Sequence, residues 1–253
     1  MDLGLKGKNA AVVGATRGIG RAIAELLANE GCNVSICARD AASVESVIAD
    51  LSSKGVNAMG EGLDATDGNA QASWIESTGK AFGGLDIFIA NVSAMNLGVD
   101  ENAWRQSFEV DMMATFNGAE AATPLLKSSD SGAMVFISSI AALHVPGGPK
   151  PYGAMKAAVI NYAKGMARSL APEGVRVNAV SPGNVYFEDG VWGRTERDNP
   201  DFFATAVANN PMGRMGRPDE VANAAVFLAS PAASFISGTN LVVDGALTLG
   251  VQY

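Results

Sequence analysis

The chain predicts a doubly wound α/β fold, a seven-stranded parallel sheet with helices on both faces. Three observations carry this. Short apolar runs alternate with longer amphipathic ones along the whole length, as strands alternate with crossover helices. The short runs are continuously apolar, as strands buried on both faces must be. The turn between the first strand and the first helix is rich in glycine, where such sheets bring backbone close to a ligand.

The elements follow in order. Strand AAVVGA (10–15) leads through the glycine turn into helix RAIAELLANE (21–30), and strand NVSICA (33–38) into helix ASVESVIADLSS (42–53). Strands NAMGEGL (57–63) and LDIFIA (85–90) precede a long helical stretch over 101–127. Strand GAMVFIS (132–138), a helix over 153–173 and strand VRVNAVS (175–181) come next. DEVANAAVFLAS (219–230) follows Pro218, a favoured first helical residue, and TNLVVDG (239–245) supplies the last strand. Residues 183–216 lack clear periodicity and are rich in Asn, Gly and aromatics, which predicts a loop acting as a substrate-binding lid. With neither internal repeat nor low-complexity tract, residues 1–253 are expected to form a single dinucleotide-binding domain.

Composition narrows the function. Lys and Arg total 18 against 26 Asp and Glu, for a net charge of −8, which excludes nucleic acid or an anionic membrane as the main partner. No apolar run approaches the ~20 residues of a membrane helix. The start, MDLGLKGKNAAVVGA, lacks signal-peptide features. Cys32 and Cys37 sit along one strand, a poor disulfide geometry, and are expected to be reduced core thiols of a cytoplasmic protein. One histidine and no His/Cys cluster predict that no metal is bound.

Residues 12–20 read VVGATRGIG, with Gly14, Gly18 and Gly20 between a strand and a helix. Glycine permits the tight turn and lets backbone approach a pyrophosphate, whose charge meets the helix N-terminus. The second strand ends Ala38-Arg39-Asp40. Ala38 cannot repel a ribose 2′-phosphate, and the guanidinium of Arg39 can bind one, with Arg17 as a second positive charge. Alternatively Arg39 is solvated and Asp40 takes the ribose hydroxyls of NAD(H). The expectation is NADP(H) in preference to NAD(H).

Tyr152 and Lys156, in YGAMK, lie four residues apart and so share one helix face. An ammonium held a few Å from a phenol favours the phenolate and makes the phenol usable as an acid and base. A solvated surface pair is the alternative.

These motifs resemble the short-chain dehydrogenase/reductase family, specifically its branch containing the 3-oxoacyl reductases, over essentially the whole chain. The resemblance rests on VGATRGIG (13–20), LDAT (63–66), ANVS (90–93), ISSIAA (137–142), YGAMK (152–156) and NAVSPG (178–183), then GRPDEVANAAVFLAS and ISGTNLVVDG. It implies a Rossmann-type fold and Tyr152 as general acid/base. It further implies that Lys156 binds the nicotinamide ribose and assists Tyr152, and that Ser139, rather than Ser138, bonds the substrate oxygen. Gly14, Thr16, Arg17, Gly18, Ile19 and Gly20 would form the phosphate loop. Asp64 would meet the adenine and Asn91 line the cofactor cleft, while Pro182, Gly183 and Val185 would border the nicotinamide.

Four positions depart from the family pattern. Val13 replaces a common Thr, Asn91-Val92-Ser93 replaces Asn-Ala-Gly, Asp111 replaces a catalytic Asn, and Phe187 replaces a Thr. Asp111 could hold a relay water, or simply bond local backbone and Lys156. Ser93, His144, Tyr186 and Trp192 are the candidate substrate contacts, and Arg194 or Arg197 could receive a carboxylate. The expected activity interconverts a ketone and a secondary alcohol on an apolar, aromatic or alicyclic small molecule. The alternatives are a 3-oxoacyl-thioester (acyl-carrier) reductase and a non-catalytic nucleotide-binding protein. Surplus apolar surface on the two long helices, with the resemblance, predicts a homotetramer.

Overall fold

The computed structural model describes residues 2–145 and 148–251. Seven parallel strands form one sheet: β1 Asn9–Val13, β2 Asn33–Ala38, β3 Ala58–Gly62, β4 Ile87–Ala90, β5 Ala133–Ile137, β6 Arg176–Pro182 and β7 Asn240–Val243. Their spatial order is β3-β2-β1-β4-β5-β6-β7. The order reverses between β1 and β4, and the crevice beyond the strand ends at that reversal is where open α/β sheets bind ligands.

Alternation along the strands divides the core into two layers. From β1, Ala10 and Val12 face one layer, while Ala11 and Val13 face the other. From β4, Ile87 and Ile89 join the first layer, Phe88 and Ala90 the second. The first is closed by α1 (Gly18–Asn29), α2 (Ala41–Ser52) and α9 (Pro218–Ala229). The second is closed by α3 (Gly68–Phe82), α5 (Ala114–Lys127) and α6 (Pro151–Leu170). Cys32 packs in the first layer and Cys37 in the second, and both are free thiols. Burial pushes Cys32 up to about 12 and Cys37 higher still.

The structure departs from the sequence reading in three places. The α3 helix was not among the expected elements, because GNAQASWIESTGKAF is rich in weak helix formers. Its boundaries are nonetheless well marked: Asp67 accepts hydrogen bonds from Asn69 N and Ala70 N, and Gly83 ends it in the left-handed conformation. Second, the stretch 101–127 is not one regular helix. It runs as α4 (Glu101–Ser107), a π-helical turn over Phe108–Met113, and then α5. Third, residues 183–216 contain α7 (Val191–Asp198) and α8 (Pro200–Ala208). Asn199 caps α8 by accepting from Phe202 N, with Pro200 at its first turn. The segment is fastened at its base by Tyr186 N to Gly216 O (2.9 Å) and Gly216 N to Asn184 O (2.8 Å).

Candidate active site

A cleft of about 1210 Å³ opens over the carboxyl ends of the strands. Its floor begins at Gly14, which leaves β1 with φ 72° and accepts from Asn91 Nδ2 at 2.9 Å. That hydrogen bond joins the two strands at the order reversal. Packing here excludes any larger residue: a Cβ on Gly20 would lie 2.2 Å from Gly14 O, and one on Gly14 2.4 Å from Asn91 O. Gly14, Thr16, Arg17, Gly18 and Ile19 line the cleft, whereas Gly20 lies beneath it as the contact that lets α1 approach β1. Arg17 at the N-cap of α1 makes no side-chain cap hydrogen bond, so the first-turn N–H groups are left for a ligand.

Arg39, Asp40, Ser43 and Asp64 line one end. The carboxylate of Asp40 accepts from both the backbone N–H and the hydroxyl of Ser43, which holds it below its usual range and engages it as the cap of α2. Asp64 is also lowered, first by the backbone N–H of Thr66, then by the Thr66 hydroxyl, with nearby Arg39 contributing. Among the described residues, neither Arg17 nor Arg39 enters a salt bridge or side-chain hydrogen bond.

Ser139, Tyr152 and Lys156 line the other end together with Asn91, Val185, Trp192 and Ser93. Pro182 and Gly183 leave β6 at its border. Lys156 is buried and its ammonium is fixed by Val92 O (2.8 Å), Ile137 O (3.1 Å) and Asp111 Oδ1 (3.2 Å). Its Nζ lies 5.9 Å from the centre of the Tyr152 ring, so the pair faces one site. The two serines divide their work. Ser138 is buried and donates to Lys156 O (2.8 Å), tying β5 to α6, whereas Ser139 is partly exposed and accepts from Ala141 N (3.1 Å), which leaves its O–H free.

Asp111 stands behind this set, fully buried and outside the cleft lining. Its Oδ2 accepts from Ala94 N (3.4 Å). No donor among the described residues points squarely at Oδ1, so the 3.2 Å contact to Lys156 is ionic rather than a directed hydrogen bond. The π turn carries Asp111 to this position, an irregularity that helices often use at functional sites.

Two candidate substrate residues lie elsewhere. His144 is exposed and does not line the cleft. Tyr186 turns away, donating to Glu196 Oε2 (2.6 Å) and packing edge-on against Phe203. Trp192 stacks on Phe202 while still lining the cleft. Phe187 rests on the glycine-rich turn: a Cβ on Gly18 would come within 2.7 Å of its ring. Met95, Gln106 and Ser43, not singled out in the sequence, also line the cleft. Ser43 alone had a readable signal, standing three residues after a capping Asp.

The family model described as "Enoyl-(Acyl carrier protein) reductase" matches residues 14–248. The chain belongs to the short-chain dehydrogenase/reductase family. Within it, this dehydrogenase/reductase is 37% identical to isoepoxydon dehydrogenase patN of Penicillium expansum, over 100% of this chain and 99% of that one. It is 32% identical to the 3-oxoacyl-[acyl-carrier-protein] reductase FabG of Vibrio harveyi, covering 97% and 99% of the two chains. The structure of L-sorbose reductase from Gluconobacter frateurii, complexed with NADPH and L-sorbose, superposes with a TM-score of 0.89 at 28% identity, covering 99% and 100%. This short-chain dehydrogenase/reductase is therefore an oxidoreductase.

Proposed function

We propose that the protein interconverts a ketone and a secondary alcohol with NADP(H) in preference to NAD(H), on an apolar, aromatic or alicyclic small molecule. One observation carries the reading: Ser139, Tyr152 and a thrice-anchored Lys156 line one end of a cleft whose other end presents unpaired Arg39. The open N-terminus of α1 and the engaged carboxylate of Asp40 suit a dinucleotide with a 2′-phosphate on Arg39 and Arg17.

When bound, NADPH supplies the hydride to the carbonyl carbon. Ser139 donates a hydrogen bond to the carbonyl oxygen, where negative charge grows, with its Oγ already fixed by Ala141 N. Tyr152 donates the proton that completes the alcohol, and in reverse accepts it. The ammonium of Lys156, 5.9 Å from the centre of the Tyr152 ring, would bind the nicotinamide ribose and position it beside the phenol. Asp111 keeps that ammonium in place and, as a fourth member of the set, could hold a relay water at Oδ1. Residues 183–216 act as the lid of a single-domain enzyme, with Trp192 offering a ring face to substrate.

The names of the isoepoxydon dehydrogenase and L-sorbose reductase relatives support carbonyl or alcohol chemistry on small molecules. The FabG relative favours a 3-oxoacyl-thioester substrate as the second reading. Buried, unpaired thiols suit the reducing cytoplasm, and the family resemblance supports a homotetramer, which light scattering checks. Following NADPH absorbance over free cyclic ketones and carrier-linked acyl substrates tests the reading. Turnover confined to the carrier-linked set selects the thioester reductase. Cofactor binding without any turnover selects a non-catalytic nucleotide binder.

A further inference from the structure

We propose that Met95 is a specificity-determining residue, a wall of the substrate pocket that presents its thioether to an apolar ring of the substrate. The inference rests on the carbonyl-reductase reading of the cleft. It starts from backbone conformation. Met95 has φ 45°, and among the described residues only one other non-glycine, Ala246, has a positive φ. The Cβ of an ordinary residue crowds the backbone there, so such a conformation persists only when its surroundings impose it.

The surroundings of Met95 do so at every step of the loop. Ser93 Oγ accepts from Met95 N at 3.1 Å, closing a turn that a glycine at 93 could not make. Asn96 Nδ2 donates to Gln106 Oε1 of α4 (2.6 Å), and Asn96 Oδ1 accepts from Gly98 N (2.9 Å). Lys150, next to the start of α6 and two residues before Tyr152, donates to Leu97 O (3.4 Å). Ala94 N donates to Asp111, the carboxylate behind Lys156. The loop is thus clamped to α4, to the π turn that carries Asp111 and to the residue that leads into α6.

Glycine would make the same turn without strain, so turning the chain does not explain a methionine. What methionine adds is its side chain, and the residue lines the cleft, as do Val110 and Trp192, with 41% of its surface exposed. A large apolar group left uncovered inside a site has a ligand as its natural partner. A polarizable thioether adapts to the edge or face of a ring, whereas a hydroxyl-rich ligand would gain little from it.

The test compares Met95→Ala with Met95→Gly. Both remove the thioether and should raise KM for a cyclic ketone, by roughly 3- to 10-fold. For an acyclic methyl ketone the rise should be smaller. The two variants should also separate in melting temperature. With φ positive, glycine is preferred to alanine, and Met95→Gly should melt roughly 2–4 °C above Met95→Ala. An unchanged KM for cyclic ketones, in an enzyme whose wild type is active, overturns the assignment and leaves the reductase reading intact. Equal rises for cyclic and acyclic ketones overturn the ring preference. Met95→Ala melting above Met95→Gly overturns the imposed backbone. A wild type that turns over no ketone while binding NADPH takes away the reductase reading and this inference with it.

Discussion

The two ends of the cleft are built in different ways. At the end lined by Ser139, Tyr152 and Lys156 the ammonium is committed to the protein itself: Lys156 is held by two carbonyls and a carboxylate, and Ser138 ties β5 to α6 while Ser139 keeps its O–H free. At the end lined by Arg39 the positive groups are unengaged, and Asp40, Ser43 and Asp64 are fixed by local turns. On the proposed function, the difference matches what each end must do. Proton transfer needs groups placed before the substrate arrives, because orientation gained in advance lowers the barrier. Recognition of a phosphate needs charges whose best partner is still to come.

Mutations can break this contrast, their expected effects on turnover and binding falling from Tyr152 through Arg39 to His144, with Asp111 read on stability. Tyr152→Phe removes the proposed proton donor and should lower kcat by about 10²- to 10⁴-fold, with NADPH binding retained in a fluorescence titration. Arg39→Ala should weaken NADPH by roughly 10- to 100-fold, the range for a hydrogen bond to a charged group, while NADH changes little. Equal weakening of both cofactors would move the 2′-phosphate elsewhere. Asp111→Ala leaves a buried ammonium without its counter-ion and should destabilise the fold by about 3–5 kcal/mol in denaturant titrations. Asp111→Asn, which keeps shape and an acceptor, should destabilise it less. His144→Ala, at an exposed position outside the cleft, should change kcat/KM by no more than about twofold, the usual range for surface sites.

A chemical probe sharpens the account of the core. Burial raises both thiols, so neither Cys32 nor Cys37 should react with iodoacetamide at pH 8 until the protein unfolds. Mass spectrometry of native protein showing rapid modification would contradict the two-layer core described above.

What the sequence disclosed followed from local geometry. VVGATRGIG sits between a strand and a helix in both the reading and the structure, because glycine placement and apolar runs act over a few residues. Tyr152 and Lys156 share a face because four residues make about one helical turn. The π turn at Phe108–Met113 had no local mark, since FEVDMM continues the helical pattern on either side. Tyr186 illustrates the same limit: its partner Glu196 lies in a helix that aromatic content alone did not reveal. The engagement of Asp40 could have been anticipated from Ser43, whereas the strain at Met95 depends on Gln106 and Lys150, which are remote in sequence.

The widened turn between α4 and α5 has an evolutionary reading. A six-residue π segment amounts to an ordinary helix carrying one surplus residue. Deleting that residue would restore regular winding with α4 and α5 still in phase, but would close the widened turn in which Asp111 sits. The contacts of Asp111 with Lys156 and with Ala94 N, both made from that turn, would then be disturbed. Length here is therefore guarded more strictly than composition. Substituting a side chain elsewhere in these six residues leaves the turn in place, while loss of one residue would remove the widening that Asp111 occupies.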